Sequence, residues 1–409
     1  MPSLFACART GRLPLPRLGT LVVAALLAGT EARAQSAGEA LRTVVFNGVL
    51  TPNSGGTLYG LLLGETTTFP IGSSAGGFTW LFDANLRVPV RRTQSFGPMF
   101  AERPYTTGNG KMNLGVSFQH TTFASVGGQP LSALEDSVTY GSDQFYRYNS
   151  SLELALDRTI VSATIGVHDR LDLGVIVPLG QARVSGFASY SELLEGQENN
   201  SRTDASGSSA GVGDVVIRAK AALPALKRFD AAATLDLRLP TGDPEKLLGT
   251  GHAQTRVMFV ASSTWGTVAP HVNVGYTFGG DGMKFGPDNR WEGSSGVPEL
   301  LQRSPSEEFN YTVGADIVVR PALTVSGDVI GRLVQDTAGI RQFDSGTGGS
   351  ARVVFLEFTP GTTNLMLGAV GAKVSVGRTW LLTGTVLFPL RDNGLKPAVT
   401  PVFGFEKAF

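Results

Sequence analysis

Cysteine is nearly absent: Cys7 is the only one in 409 residues. That excludes a disulfide scaffold and a thiolate metal cluster. Histidine is scarce as well, and the four residues His120, His168, His252 and His271 show no i, i+4 pairing of the kind a helical metal site needs. Neither sign of charge dominates, since 34 basic side chains face 34 acidic ones and only 17% of residues are charged; the basic footprint of a nucleic-acid binder is missing. Beyond the amino terminus there are no long apolar runs, because something polar interrupts every second or third residue. Without about 20 continuous apolar residues the chain cannot cross a bilayer as a helix. At 42% hydrophobic residues it is nevertheless too apolar for a disordered protein.

What is present begins with Arg9, Arg12 and Arg17, followed by an apolar run from Leu18 to Ala28 and then Ala32, Arg33 and Ala34, the small-x-small pattern that a signal peptidase reads. The run is roughly half a membrane span. Residues 1–34 therefore read as a secretory signal cleaved near Ala34. Cys7 leaves with it, and the remaining 375 residues carry 30 basic and 33 acidic side chains, a formal charge of −3. Glycine is plentiful at 52 residues, about twice the usual level of roughly 7%, which favours turns and close-packed strands over long helices.

Strict alternation recurs down most of the chain. Between 323 and 333, Leu323, Val325, Val329 and Leu333 share one face while Thr324, Ser326, Asp328 and Arg332 share the other. The pattern repeats at 213–221, 230–240 and 308–319, each time with charges in mid-strand. Twelve strands are expected, near 110–123, 147–167, 170–190, 211–223, 229–241, 255–264, 269–279, 307–319, 322–335, 363–376, 380–391 and 399–409. Short connections alternate with long ones, the long ones falling at 124–146, 191–210, 242–254, 280–306, 336–362 and 392–398. Long strands, an even count and one rim of long loops describe an all-β fold, a transmembrane antiparallel β-barrel of the outer-membrane type, rather than a soluble sandwich. The carboxyl terminus fits: Phe403, Phe405 and Phe409 share a parity, and Phe409 is placed where the barrel-assembly machinery reads an aromatic signal. Lys407 departs from that pattern.

If the apolar face meets outer-membrane lipid, the opposite face lines a lumen carrying Asp172, Asp214, Arg218, Lys220, Asp236, Arg238, Arg256, Glu308, Asp316, Asp328 and Arg332. The interleaved signs predict weak charge selectivity. The organisation expected is a signal at 1–34, an amino-terminal segment at 35–109, and the barrel at 110–409. The segment holds Gly55, Gly56, an apolar run from Leu58 to Leu63, and a hairpin pattern in which 78–82 and 86–90 flank Asp83, Ala84 and Asn85. It plugs the lumen, lies under the barrel as a periplasmic segment, or adds two strands to make fourteen.

Catalytic and cofactor motifs are weak. G-x-S-x-G occurs at 72–76 and 207–211, neither on a strand-to-helix elbow. Asp281 and Asp288 lack calcium-loop spacing, and no glycine motif opens a helix after a strand. Neither catalysis, a metal nor a cofactor is expected.

The stretch Gly211 to Lys220 (GVGDVVIRAK), then Leu235 to Asp243 (LDLRLPTGD) with Leu247 to Gly251, resembles the outer-membrane proteins grouped as the MetA-pathway phenol-degradation family. Ala269 to Tyr276 and Val386 to Leu390 fit as well, so the resemblance covers 95–409. It implies a transporter or channel that passes small aromatic or other hydrophobic compounds passively. The asparagine-proline pattern of the fatty-acid transporters is absent. The alternatives are a structural or adhesive barrel that binds a partner through its long loops, and an outer-membrane esterase or phospholipase using Ser74 or His271. The expected partners are lipid, the barrel-assembly machinery and a small solute, with no nucleic acid.

Overall fold

The computed structural model describes residues 35–49, 52–73, 76–83, 88–91, 95–140, 144–224, 228–279, 306–344, 351–377 and 379–409. The expected signal segment, Ser74, Asp281 and Asp288 lie outside the described residues. Two helices, α1 (Ala37–Asn47) and α2 (Pro52–Thr67), precede a hairpin of β1 (Trp80–Asp83) and β2 (Val88–Arg91). Then come β3 (Met112–Val126), β4 (Gln129–Pro130), β5 (Leu134–Tyr140), β6 (Gln144–His168), β7 (Leu171–Leu194), β8 (Gln197–Val212) and β9 (Val216–Ala222). The second half holds β10 (Asp230–Arg238), β11 (Gln254–Ser262), β12 (Val268–Phe278), β13 (Glu308–Arg320), β14 (Leu323–Asp344) and β15 (Ala351–Val376). The last three are β16 (Trp380–Pro389), β17 (Leu395–Pro397) and β18 (Thr400–Ala408).

Antiparallel pairing runs β3, β6, β7, β9 to β16 and β18, then returns to β3, closing a ring of twelve strands. Closure leaves no unpaired edge, which a bilayer would not tolerate. The strands expected from alternation are those found. β1 and β2 pair only with each other, so the fourteen-strand alternative is excluded.

The long connections differ from expectation at three places, one of them 124–146, which holds β4 and β5. Residues 191–210 and 336–362 are largely paired strand rather than loop: β8 runs back along β7, and β14 and β15 continue together past a register shift at Val334 to Thr337. Asp336 stands at that shift with φ 46°. The polar residues on both faces of β8 suit water, and continued pairing satisfies the backbone along both stretches. β5 bridges the outer parts of β6 and β15.

The wall has two chemically opposite faces. Phe118, Leu173, Ile217, Leu235, Val257, Phe259, Val313, Val370, Leu382 and Phe403 are exposed on the outside, an apolar area that only lipid makes tolerable. Among the described residues no helix is long and apolar enough to cross a membrane; the strands cross it. Leu382, directly across from Phe405, gives a simple check. Leu382→Arg is expected to cost about 2–4 kcal/mol if the position lies near mid-bilayer, read as a lowered midpoint in denaturant unfolding in lipid vesicles. A change within error would place this band outside the lipid.

The lysine that breaks the terminal aromatic pattern has a local explanation. Lys407 Nζ lies 4.9 Å from the Trp380 ring centre and 4.7 Å from that of Phe409, a cation held by two aromatic faces beside the short-turn rim. The Phe409 N–H donates to Met112 O at 2.8 Å, tying the last residue to the first wall strand.

The described residues between 35 and 107 make contacts with the wall strands. Ser36 caps α1: its Oγ accepts from Glu39 N at 3.1 Å, and Glu39 Oε2 accepts from Ser36 N at 3.3 Å. Ala37, Ala40, Leu41, Val44 and Val45 form the buried face of α1, which packs against β6, β7 and β8. Gly38 is needed there, since a Cβ would overlap Glu245 O. Leu58, Leu61 and Leu62 of α2 join a core with Leu154, Leu156, Val184, Leu356 and Leu387 of the wall. Further on, Ser95 Oγ donates to Asp316 at 3.1 Å, Tyr105 OH to Asp230 at 3.0 Å and Thr106 Oγ1 to Asp169 O at 2.7 Å. Those partners stand toward the short-turn ends of the wall.

Candidate functional site

Short wall side chains cannot fill a twelve-strand lumen, and here the amino-terminal segment shares the space. The main mid-barrel cavity is about 110 Å³, between residues 68–73 and 100–102 of the segment and the inner faces of β9 to β14. A larger cavity, about 400 Å³, lies toward the short-turn rim and is lined by Ser95, Arg103, Tyr105, Asp230, His271 and Asp316 among others.

Alternation turns every lumen candidate inward. Six of them, Arg218, Asp236, Arg238, Arg256, Glu308 and Arg332, line the mid-barrel cavity. Arg218 is its hub. Its Nε donates to Asp236 Oδ1 at 2.6 Å and its Nη2 to Asp236 Oδ2 at 2.7 Å, while Nη1 reaches Glu102 of the segment. Arg256 grips the same Asp236 through Nε at 3.0 Å. Arg332 Nε donates to Glu308 at 3.0 Å, and its Nη2 donates to Thr68 Oγ1 at 2.8 Å. Burial opposes the Glu102 charge, but Arg218 and Lys220 override it and hold that carboxyl below its ordinary range.

The other five candidates serve as fixed anchors. Asp172 accepts from Thr107 N at 2.9 Å and faces Lys220 at 3.7 Å. Asp214 accepts from Gly242 N, Thr250 N and Thr250 Oγ1, folding the 242–250 connection inward. Asp316 holds Ser95, and Asp328 pairs with His271 at 2.6 Å. His120, by contrast, stands on the outside, bonded to Asp157 at 2.6 Å.

Arginines also hold the end of α2. Arg158 Nη1 donates to Phe69 O at 3.0 Å and its Nη2 to Thr66 O; Arg238 Nη1 reaches Thr67 O at 3.4 Å. Positive charge at the negative, carbonyl-bearing end of a helix is favourable. Glu65, on the same last turn, accepts from Leu395 N at 2.6 Å. Burial pushes its carboxyl up to about 7, against the opposing pull of that N–H and of Arg332. Glu65, Glu102 and Arg158 are absent from the expected site. Arg158 shares the inward parity of Leu154 and Leu156 and was legible in principle. Glu65 and Glu102 lie outside the alternating strands and carry no such signal.

Among the described residues no group of three or more histidine, cysteine or acidic side chains could hold a metal ion. A closed ring of long strands, apolar outside and charged within, defines an outer-membrane β-barrel. Residues 141–356 match the family described as the MetA-pathway of phenol degradation, and the chain belongs to that family. Similar solved structures include the COG4313 outer membrane channel from Pseudomonas putida F1, with 15% identity, 74% of this chain and 96% of that one covered, and a TM-score of 0.45. The KdgM porin is similar at 9% identity, 72% and 99% coverage and a TM-score of 0.34. The TodX deltaS2S3 mutant monoaromatic hydrocarbon channel gives 10%, 74% and 91%, and 0.36. No curated protein matches the sequence.

Proposed function

We propose that the protein is a passive outer-membrane channel for small aromatic or otherwise hydrophobic solutes. On this reading residues 1–34 are removed on export, 35–109 act as an internal plug, and the barrel-assembly machinery recognises the strand ending in Phe409. The observation that carries the proposal is a lumen in which a separate, hydrogen-bonded segment leaves a cavity mixing Phe69, Ile71, Phe100 and Met258 with arginines and carboxylates. Apolar walls with a few oriented polar groups suit an aromatic solute. The family's tie to phenol degradation points the same way. All but one of the charges lining the mid-barrel cavity are paired within the wall or with the segment, so they tune passage rather than impose one ionic sign.

A deletion strain supplied with micromolar phenol is expected to take it up severalfold more slowly than wild type, with the rate restored from a plasmid. Purified protein is expected to conduct in planar bilayers. Normal uptake by the deletion strain together with no conductance would remove the channel reading.

A further inference from the structure

The mid-barrel cavity has one cation more than its ion pairs use. Four arginines and three carboxylates line it: Arg218 is shared between Asp236 and Glu102, Arg256 also binds Asp236, and Arg332 binds Glu308. Arg238 is left over. Among the described residues it makes no ion pair, and its one hydrogen bond is the long 3.4 Å contact to Thr67 O. Asp214 lines a small neighbouring cavity of about 20 Å³ together with Arg238. Its oxygens already accept from Gly242 and Thr250. Arg238 therefore presents unused donors to a space lined by one more arginine than carboxylate, where Phe69, Phe100, Met258 and Ile330 supply an apolar wall.

From this geometry we infer that Arg238 is a recognition residue for small aromatic anions: an aromatic carboxylate whose ring lies against the apolar wall and whose two oxygens take the guanidinium in place of Thr67 O. A planar guanidinium fits a carboxylate with two parallel hydrogen bonds, which a single backbone carbonyl cannot match. At about 110 Å³ the cavity is smaller than the roughly 150 Å³ that takes benzene, so a single aromatic ring is the largest apolar group in question and its entry requires the bounding segment, which is not part of the wall, to give way. The inference rests on the channel reading and deepens it by naming a charged member of the solute class.

The test is calorimetric binding to the purified full-length protein in detergent, with benzoate, its neutral isostere benzamide, and acetate as probes. Wild type is expected to bind benzoate at least ten times more tightly than either benzamide or acetate. Arg238→Gln should lose at least tenfold in benzoate affinity and leave benzamide unchanged, and Arg238→Lys should retain part of the preference. The comparison of three probes on wild type needs no variant to fold. Equal binding of benzoate and benzamide would overturn the inference, and acetate binding as tightly as benzoate would reduce the site to a bare anion hole and overturn the aromatic class. If no probe binds while bilayer conductance persists, this inference falls and the channel reading stands; if conductance and phenol uptake are also lost, the channel reading has failed.

Discussion

Arg218→Met is expected to destabilise the folded barrel by about 3–5 kcal/mol, the usual cost of taking one partner from a buried ion cluster. The side chains of Arg218, Asp236 and Glu102 are about 5%, 5% and 3% exposed, so water offers little compensation. Methionine keeps much of the volume and removes only the guanidinium, leaving Asp236 with Arg256 alone and Glu102 with Lys220 at 3.8 Å. The loss should be read twice. Urea unfolding in lipid vesicles should show the lowered midpoint, and planar-bilayer conductance should rise, because Glu102 joins the amino-terminal segment to the wall. A double variant, Arg218→Met with Glu102→Gln, removes one of the stranded charges and should be less destabilised than the sum of its parts. A single variant within 1 kcal/mol of wild type would mean that lumen water already solvates the cluster.

The wall was legible in the sequence because a lipid-facing strand must obey a period of two with no relief. Val257 and Phe259 point out, Arg256 and Met258 point in, and a slip of one residue would put a charge into hydrocarbon. Beyond the bilayer that pressure ends. The paired strand of 197–212 therefore looked like a loop, since water accepts polar residues on both its faces, while the pairing of 337–344 with 354–361 lacks the strict alternation of the wall. The helix α2 was hidden for another reason. Gly55, Gly56, Gly60 and Gly64 lower its intrinsic propensity, and only the spacing of Leu58, Leu61 and Leu62 hinted at it. The candidate site divides along the same line. Its wall charges follow from parity, whereas Glu65 and Glu102 are placed by tertiary contacts more than a hundred residues away in sequence, with Leu395 and Arg218.

Docking of α2 should weaken as pH rises, with Glu65 as the group responsible. In the docked state its carboxyl titrates near 7, against an ordinary 4.5, chiefly because burial disfavours the charge. Leu395 N and Arg332 favour the charged form, and Glu308 opposes it. Below about 4.5 the group is protonated whether docked or released, and pH has no leverage. Between 4.5 and 7 the docked state binds more protons than the released one, so each rise in pH favours release. Above 7 the loss is complete, on the order of 3 kcal/mol. Removal of 1–34 would leave no native cysteine, so one placed at the fully buried Leu62 would report release by reacting with a maleimide. A second, at the exposed Gln197, corrects for the reagent's own pH dependence. The ratio of the two rates should rise roughly twenty-fold from pH 5.5 to pH 8. Glu65→Gln, neutral throughout, should flatten it at the low-pH value while keeping an oxygen to accept from Leu395. A ratio that does not change with pH in the parent protein would show that Glu65 does not control docking, and an unchanged slope in Glu65→Gln would assign the control to another group.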